Sequence, residues 1–268
     1  MFQGRVKILS QKKVSSNTYH IVFNFPEVSA GPGQFISVLC DEGNLLRRPF
    51  SIHWQDTDKM ELLYRVRGTG TQKLRAKKKG DSLDVMGPLG QGYRISDKNK
   101  AFILVAGGMG VASLLFLAKY LKTLKRASGV ITVLIGARMK DEIFCVDRFR
   151  QLGCKVKVAT EDGSLGQKGM VTDLLNKLLA SSISHPASVV YACGPRPMLK
   201  EVSRISRKFN ISCQVSIEEH IACGVGACRG CAIRVKGSKL EVQSVTPLNT
   251  YKLVCKDGPV FNAGEILW

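Results

Sequence analysis

Eighteen consecutive residues, AFILVAGGMGVASLLFLA from Ala101 to Ala118, carry no charge, and the way they fold constrains the whole chain. About 20 apolar residues are enough for a helix to cross a bilayer. The centre of this run argues against that. Its GGMG cluster splits it into a strand-like half and a helix-like half, the pattern of a buried strand, a turn and a helix. The same rhythm continues downstream. The apolar segments GVITVLIGA, KVKVA, SVVYAC and SCQVSI alternate with helical stretches, which predicts a parallel α/β sheet over residues 98–218. Upstream, short alternating segments such as Thr18–Phe25, Gln34–Leu39, Pro49–Trp54 and Met60–Arg67 are separated by Gly, Pro and Asp. They predict a small antiparallel β-barrel over residues 1–97. Residues 219–268 form a third, small region with no long helical pattern, so the fold class expected is multi-domain, β followed by α/β.

That last region holds four of the nine cysteines. At the amino terminus Val6, Ile8 and Leu9 are too few apolar residues for a secretory leader, which predicts a reducing compartment, the cytoplasm, where metal or redox roles outrank disulfides. Cys223, Cys228 and Cys231 read C-x4-C-x2-C, and Cys255 offers a distant fourth ligand; this is the plant-type spacing of a [2Fe–2S] cluster. Four thiolates on two irons call for backbone N–H groups close to sulfur, and Gly224, Gly226 and Gly230 remove the side chains that would block them. A zinc ribbon is the competing metal site, although it normally offers two C-x2-C pairs. Buried structural thiols are the third alternative.

A net charge of +19 attracts nucleic acid, anionic membrane or acidic partners. The charge is spread, however. Lys77–Lys79 is the one run, and no aromatic residues interleave with it to stack bases. A solvated basic surface that meets phosphate-bearing ligands accounts for it, and a basic, zinc-containing nucleic-acid binder is kept as the alternative from another class.

Nucleotide motifs lie in both larger regions. In LRRPFSI, Arg48 would meet a phosphate and Ser51 a ring edge. LLYRVRGTGT adds an aromatic residue, Arg65 and a glycine-rich turn whose N–H groups and Thr71 hydroxyl suit pyrophosphate. VAGGMGVASL sets Gly107, Gly108, Met109 and Gly110 between a strand and a helix, where bare backbone receives pyrophosphate, although Ser113 occupies the last position of a G-x-G-x-x-G pattern. YACGP ends a later strand of the same sheet, at the edge where such sheets bind ligands. Arg138, after GVITVLIGA, would attract a 2′-phosphate, and no acid there clearly marks a ribose.

RRPFSI, YRVRGTGT and DVMGPLGQGY, in that order, resemble the flavin half of the ferredoxin reductase superfamily. With the carboxy-terminal cysteines, nearly the whole chain resembles the electron-transfer subunit of class 1B dihydroorotate dehydrogenase. The resemblance implies FAD held by Arg48, Pro49, Phe50 and Ser51, by Leu63, Tyr64 and Arg65, and by Gly70 and Thr71. It places Cys193, Gly194 and Pro195 beside the nicotinamide, favours NAD over NADP, and marks TEDGSLGQKGMVT as a family segment. It also implies an FMN-containing catalytic partner in a heterotetramer, with electrons passing through the cluster and FAD to NAD+ and no acid or base catalyst on this chain. The same modules would also suit a reductase of an oxygenase or a sulfite-reducing system.

Overall fold

The structure, a computed structural model, describes all residues except 27, 42, 44–45, 97–100, 125–128, 182–187 and 238–249. The expected boundary at residues 97 and 98 lies outside the described residues.

The amino-terminal half is one antiparallel sheet. Its strands are β1 (Phe2–Lys13), β2 (Thr18–Asn24), β3 (Phe35–Leu39), β4 (Arg48–Ser51), β5 (Trp54–Gln55), β6 (Lys59–Arg65) and β7 (Ser82–Leu89), in the order β4-β3-β7-β1-β2-β6-β5. It curls into a half-barrel because its inward positions, among them Ile8, Phe23, Ile36, Leu62 and Val85, share one core while alternate residues face out. The segment read as a glycine-rich turn instead opens a helix, α1 (Thr69–Ala76), between β6 and β7. The Thr71 hydroxyl starts it, accepting from the N–H of Arg67 at 2.9 Å and of Gly68 at 3.2 Å and donating to the Gly68 carbonyl at 3.0 Å.

The uncharged run divides as its glycines dictate, into β8 (Ala101–Gly107), one tight turn and α2 (Val111–Thr123). Next come β9 (Val130–Ala137), α3 (Val146–Gln151), β10 (Lys155–Thr160), β11 (Gln167–Lys168), α4 (Val171–Ala180), β12 (Ser188–Cys193), α5 (Arg196–Lys208) and β13 (Ser212–Ser216). Strands β8 to β13 are parallel, and all six residues of β12 are buried, as expected of a strand covered on both faces. Among the described residues no helix is long and apolar enough to cross a membrane.

The carboxy-terminal region contains β14 (Ala232–Val235), β15 (Thr250–Leu253), the short α6 (Val254–Asp257) and β16 (Val260–Asn262). Strands β14 and β15 pair with each other. Strand β16 returns to the parallel sheet and lies antiparallel along β13, giving the order β11-β10-β9-β8-β12-β13-β16. Cys231, Ile233, Val254 and Cys255 share a core with Phe35, Met86 and Leu89 of the half-barrel and with Val190 and Val215 of the α/β sheet.

The half-barrel and the α/β part are joined by a polar cluster that has no counterpart in the sequence reading. His53 is 1% exposed and donates from Nδ1 to the Ala112 carbonyl of α2 at 2.8 Å. Arg148 of α3 donates from Nη1 to His53 Nε2 at 3.1 Å and to Glu61 Oε2 at 2.9 Å, and His20 Nε2 lies 2.8 Å from the same carboxylate oxygen. Potential ligand atoms of His20, His53 and Glu61 lie within 4.8 Å of one another, but the guanidinium already stands where a cation would. Burial disfavours charge on Glu61, yet the His20 hydrogen bond and the Arg148 charge win and hold its carboxyl down at about 2. Burial, helped by the Arg148 charge, pushes His53 down from 6.5 to about 4. Protonation would place an N–H⁺ against that guanidinium. The group binds protons more weakly folded than unfolded, so its contribution is complete above pH 6.5 and is lost as pH falls toward 4. Unfolding titrations in urea at pH 7 and pH 4.5 should show about 2–3 kcal/mol less stability at the lower pH, and His53→Gln should remove most of that difference.

Candidate functional site

A cavity of about 680 Å³ opens at the carboxyl ends of the parallel strands. Arg65 and Arg67 line it from the half-barrel, and Gly107 to Met109, Arg138, Glu142 and Glu218 line it from the α/β part. This is the crevice in which open α/β sheets bind nucleotides, and a second domain closes over it.

Two glycine turns form its floor. A Cβ on Gly110 would stand 1.9 Å from the Cys193 carbonyl oxygen, and one on Gly107 would meet Met198 Sδ at 2.4 Å and Pro195 Cδ at 2.9 Å. The GGMG turn after β8 and the CGP turn after β12 therefore lie in contact, as their strands do, and only bare backbone fits between them. Pro195 precedes α5 directly, so both turns deliver helix starts to the cavity edge. The Cys193 thiol is 3% exposed and points away from water; burial raises it to about 11, so at neutral pH it is a thiol.

TEDGSLGQKGMVT acts as a brace. The Thr160 hydroxyl bonds both the carbonyl and the N–H of Leu165, Asp162 Oδ1 accepts from the N–H and hydroxyl of Ser164, and the Ser164 oxygen in turn accepts the Lys140 N–H at 2.8 Å. The loop after β9 is thereby fixed against the loop after β10.

The residues expected to hold a flavin surround the half-barrel's open edge. Arg48 and Ser51 leave β4 on opposite faces. Ser51 pairs with Phe35, and Arg48 lies over the first turn of α1, where a Cβ on Gly70 would come within 3.3 Å of the Arg48 Nε. Arg48 Nη1 donates to the Leu46 carbonyl at 2.6 Å, and a guanidinium above a helix start with no side chain between them is an arrangement that suits a phosphate. Leu63 belongs to the core shared with the α/β part, whereas the Tyr64 ring points into the barrel, 5.6 Å from Phe50, and donates its hydroxyl to Gln11 Oε1 at 3.0 Å. Tyr64 thus has backbone, not hydroxyl, to offer a ligand. Arg65 Nε is buried without a hydrogen-bond partner among the described residues, although its side chain lines the cavity. A water or a bound molecule in the cavity would supply its acceptor.

The cysteine loop lies against the outer face of the same half-barrel. The Cys228 N–H donates to Cys223 Sγ and the Cys255 N–H to Cys231 Sγ, both at 3.4 Å. Hydrogen bonding from the Cys228 N–H lowers the Cys223 thiol to about 6 against the opposing effect of burial, while burial and the neighbouring Cys231 raise Cys255 to about 12. Gly224, at φ +76, and Gly226, at φ +85, supply left-handed turns that wrap the loop, and Gly230 approaches Cys228 Sγ. Cys231 and Cys255 are buried, and Cys228 is exposed. Backbone N–H groups aimed at soft thiolates fit an iron–sulfur cluster. Under Gly224 lie Ser37 Oγ and Leu89 Cδ1 at 3.3 Å and Met86 Cε at 3.4 Å from where its Cβ would be. Ser37 pairs directly with Pro49 of β4.

Glu142, Arg67 and Glu218 went unnoticed in the sequence. The first sits four residues beyond Arg138, past the strand end where a ribose-binding acid is sought, and the others follow from how the two domains face each other.

Fold and site together define a flavin- and nicotinamide-type reductase extended by an iron–sulfur module. Family models agree: the oxidoreductase FAD-binding domain matches residues 5–93, the oxidoreductase NAD-binding domain residues 104–204, and the iron-sulfur cluster binding domain of dihydroorotate dehydrogenase B residues 218–267. The chain is 40% identical to the dihydroorotate dehydrogenase B (NAD(+)) electron transfer subunit of Caldanaerobacter subterraneus subsp. tengcongensis, with 98% of each chain covered. It is 38% identical to that of Desulforamulus reducens, over 98% of this chain and 97% of the relative. Among solved structures, an NADH-dependent reduced ferredoxin-NADP oxidoreductase is 31% identical at a TM-score of 0.81, over 98% of this chain and 90% of the other. The chain belongs to the family of dihydroorotate dehydrogenase B electron transfer subunits.

Proposed function

We propose that this chain carries electrons from the FMN of a dihydroorotate-oxidising partner, by way of a [2Fe–2S] cluster and FAD, to NAD+ in pyrimidine biosynthesis. The observation that carries the reading is the seat of the cysteine loop. Gly224, next in sequence to Cys223, rests on Ser37, and Ser37 pairs with Pro49 of the flavin segment, so the cysteine loop sits on the strand that lies one strand spacing, ~4.8 Å, from the flavin strand. Exposed Cys228, with Val225 beside it at 47% exposure, leaves one side of the loop open to a partner.

Bound FAD supplies the interconversion between single-electron and hydride transfer. The chain's residues supply position. Arg48 and the start of α1 hold phosphate, Arg65 offers its unpaired Nε–H, and Pro49, Phe50, Ser51, Leu63 and the Tyr64 backbone frame the ring. Gly107 to Gly110 receive the pyrophosphate of NAD, and Cys193, Gly194 and Pro195 border the nicotinamide. Cys223, Cys228, Cys231 and Cys255 ligate the cluster. The working domains are residues 1–97, 98–218 and 219–268, the last reaching back through β16. Two copies with two FMN-bearing catalytic subunits would complete the assembly, and nine cysteines that form no disulfide suit the cytoplasm.

The deciding experiment is the visible spectrum of anaerobically purified chain, with iron, acid-labile sulfide and flavin assays, followed by reduction of NAD+ in the presence of a dihydroorotate-oxidising FMN protein. Two irons, two sulfides and one FAD per chain with partner-dependent NADH formation are expected. A colourless zinc protein would overturn the reading. A coloured chain serving only an oxygenase or a sulfite-reducing partner would move it to the related reductases.

A further inference from the structure

Arg138 was the one residue whose charge favoured a 2′-phosphate, and the structure shows what that charge is doing. Strand β9 lies beside β8, with Gly136 paired to Gly107, so Arg138 stands just past the strand next to the glycine turn. In open α/β sheets the ribose is met there, an acid accepting from the 2′-hydroxyl or an arginine receiving a 2′-phosphate. Here both residue types are present and bonded to each other. Arg138 donates from Nη2 to Glu142 Oε1 at 2.6 Å and from Nε to Glu142 Oε2 at 3.2 Å, a two-pronged pair, and Arg65 Nη2 reaches Glu142 Oε1 across the domain boundary at 3.5 Å. Glu161, from the end of β10, adds a second negative charge near Arg138. The backbone is fixed as well: the N–H groups of Glu161 and Asp162 donate to the carbonyls of Ala137 and Arg138 at 3.1 and 3.2 Å.

We infer that Glu142 determines the preference for NAD over NADP, by engaging Arg138 and Arg65 and by holding a carboxylate where a 2′-phosphate would have to lie. The inference rests on the cavity being the nicotinamide dinucleotide site. A phosphate dianion entering here displaces Glu142 from both arginines and remains beside its charge; a 2′-hydroxyl leaves the pair intact and donates to it. Glu142 is thus a specificity residue, and its effect runs through the charge of its neighbours.

The test is calorimetric titration of purified, flavin-loaded chain with NAD+ and with NADP+, which reads binding without turnover. Glu142→Gln keeps the shape and removes the charge, so the ratio of the NADP+ to the NAD+ dissociation constant should fall on the order of tenfold, the scale of one charge-assisted hydrogen bond. Arg138→Ala, at a side chain 68% exposed, leaves Glu142 without its main counter-charge and should raise the ratio instead. Opposite shifts in the two variants support the inference. Ratios within about twofold of the parent in both, or a fall in Arg138→Ala, overturn it, since either result removes Glu142 from the discrimination. A parent chain that binds neither nucleotide overturns the cavity reading itself, a separate and recognisable failure.

Discussion

Alanine at Gly110 will destabilise the chain by about 3 kcal/mol and abolish NAD+ binding, the largest effect expected of any single methyl group in the α/β part. The backbone gives no warning of this. Gly110 has φ −57 and ψ −21, ordinary helical values, and at such a position alanine usually stabilises by about 0.4–1 kcal/mol through the unfolded chain. What forbids the substitution is the Cys193 carbonyl, 1.9 Å from the new Cβ, with the carbonyl carbon at 2.3 Å and the Gly194 nitrogen at 2.8 Å. All three are backbone atoms of the neighbouring turn, at the end of a fully buried strand, so no side chain can rotate aside. The two turns must separate, and with them the two sides of the cavity proposed to receive the pyrophosphate and the nicotinamide. Urea unfolding midpoints and NAD+ titration check both halves of the expectation. A variant as stable as the parent would mean that the two turns are not in contact.

Serine at Cys228 will strip the iron and acid-labile sulfide from the chain while leaving FAD at about one per chain. A hydroxyl oxygen is a hard, protonated ligand where a thiolate is needed. Cys228 is exposed, so the exchange itself disturbs no packing, unlike at Cys231 and Cys255, which belong to the common core; what stability is lost comes from the departed cluster. The residues proposed to hold the flavin lie on β4, β6 and α1 and make no use of that side chain. NAD+-linked turnover with the partner should vanish, while NADH should still reduce the chain's flavin directly. Iron retained at the parent level would remove Cys228 from the ligands; unimpaired partner-linked turnover without iron would take the cluster out of the relay.

The parts of the fold that were legible are those where one period dominates. Strands β8, β9 and β12 are largely buried apolar runs, β10 and β13 alternate apolar with polar residues, and the GGMG cluster marks where the first of them ends. Strand β1 was missed because its inward side is carried by Val6 and Ile8 while Arg5, Lys7, Lys12 and Lys13 dominate its composition. Strand β16 is three residues long and is recognisable only through its pairing with β13. At the site, the cysteine spacing and glycine turns are local signals and read directly. The pairing of Glu142 with Arg65 joins residues far apart in the chain across a domain boundary, and the Arg148–His53–Glu61 cluster does the same, so no window of sequence contains either.

The route of the chain around β16 has a consequence for how such a molecule is assembled. Ser216 ends β13 and stands directly opposite Val260 of β16, so everything between them, the cysteine loop included, leaves and re-enters the sheet at neighbouring points about 5 Å apart. Topologically the electron-carrying region is the tip of an oversized hairpin, and a tight two-residue turn could close the same gap. A reductase can therefore acquire or shed an inorganic redox centre at this junction without rethreading its sheet, whereas truncation after β13 would expose that strand's edge to other chains.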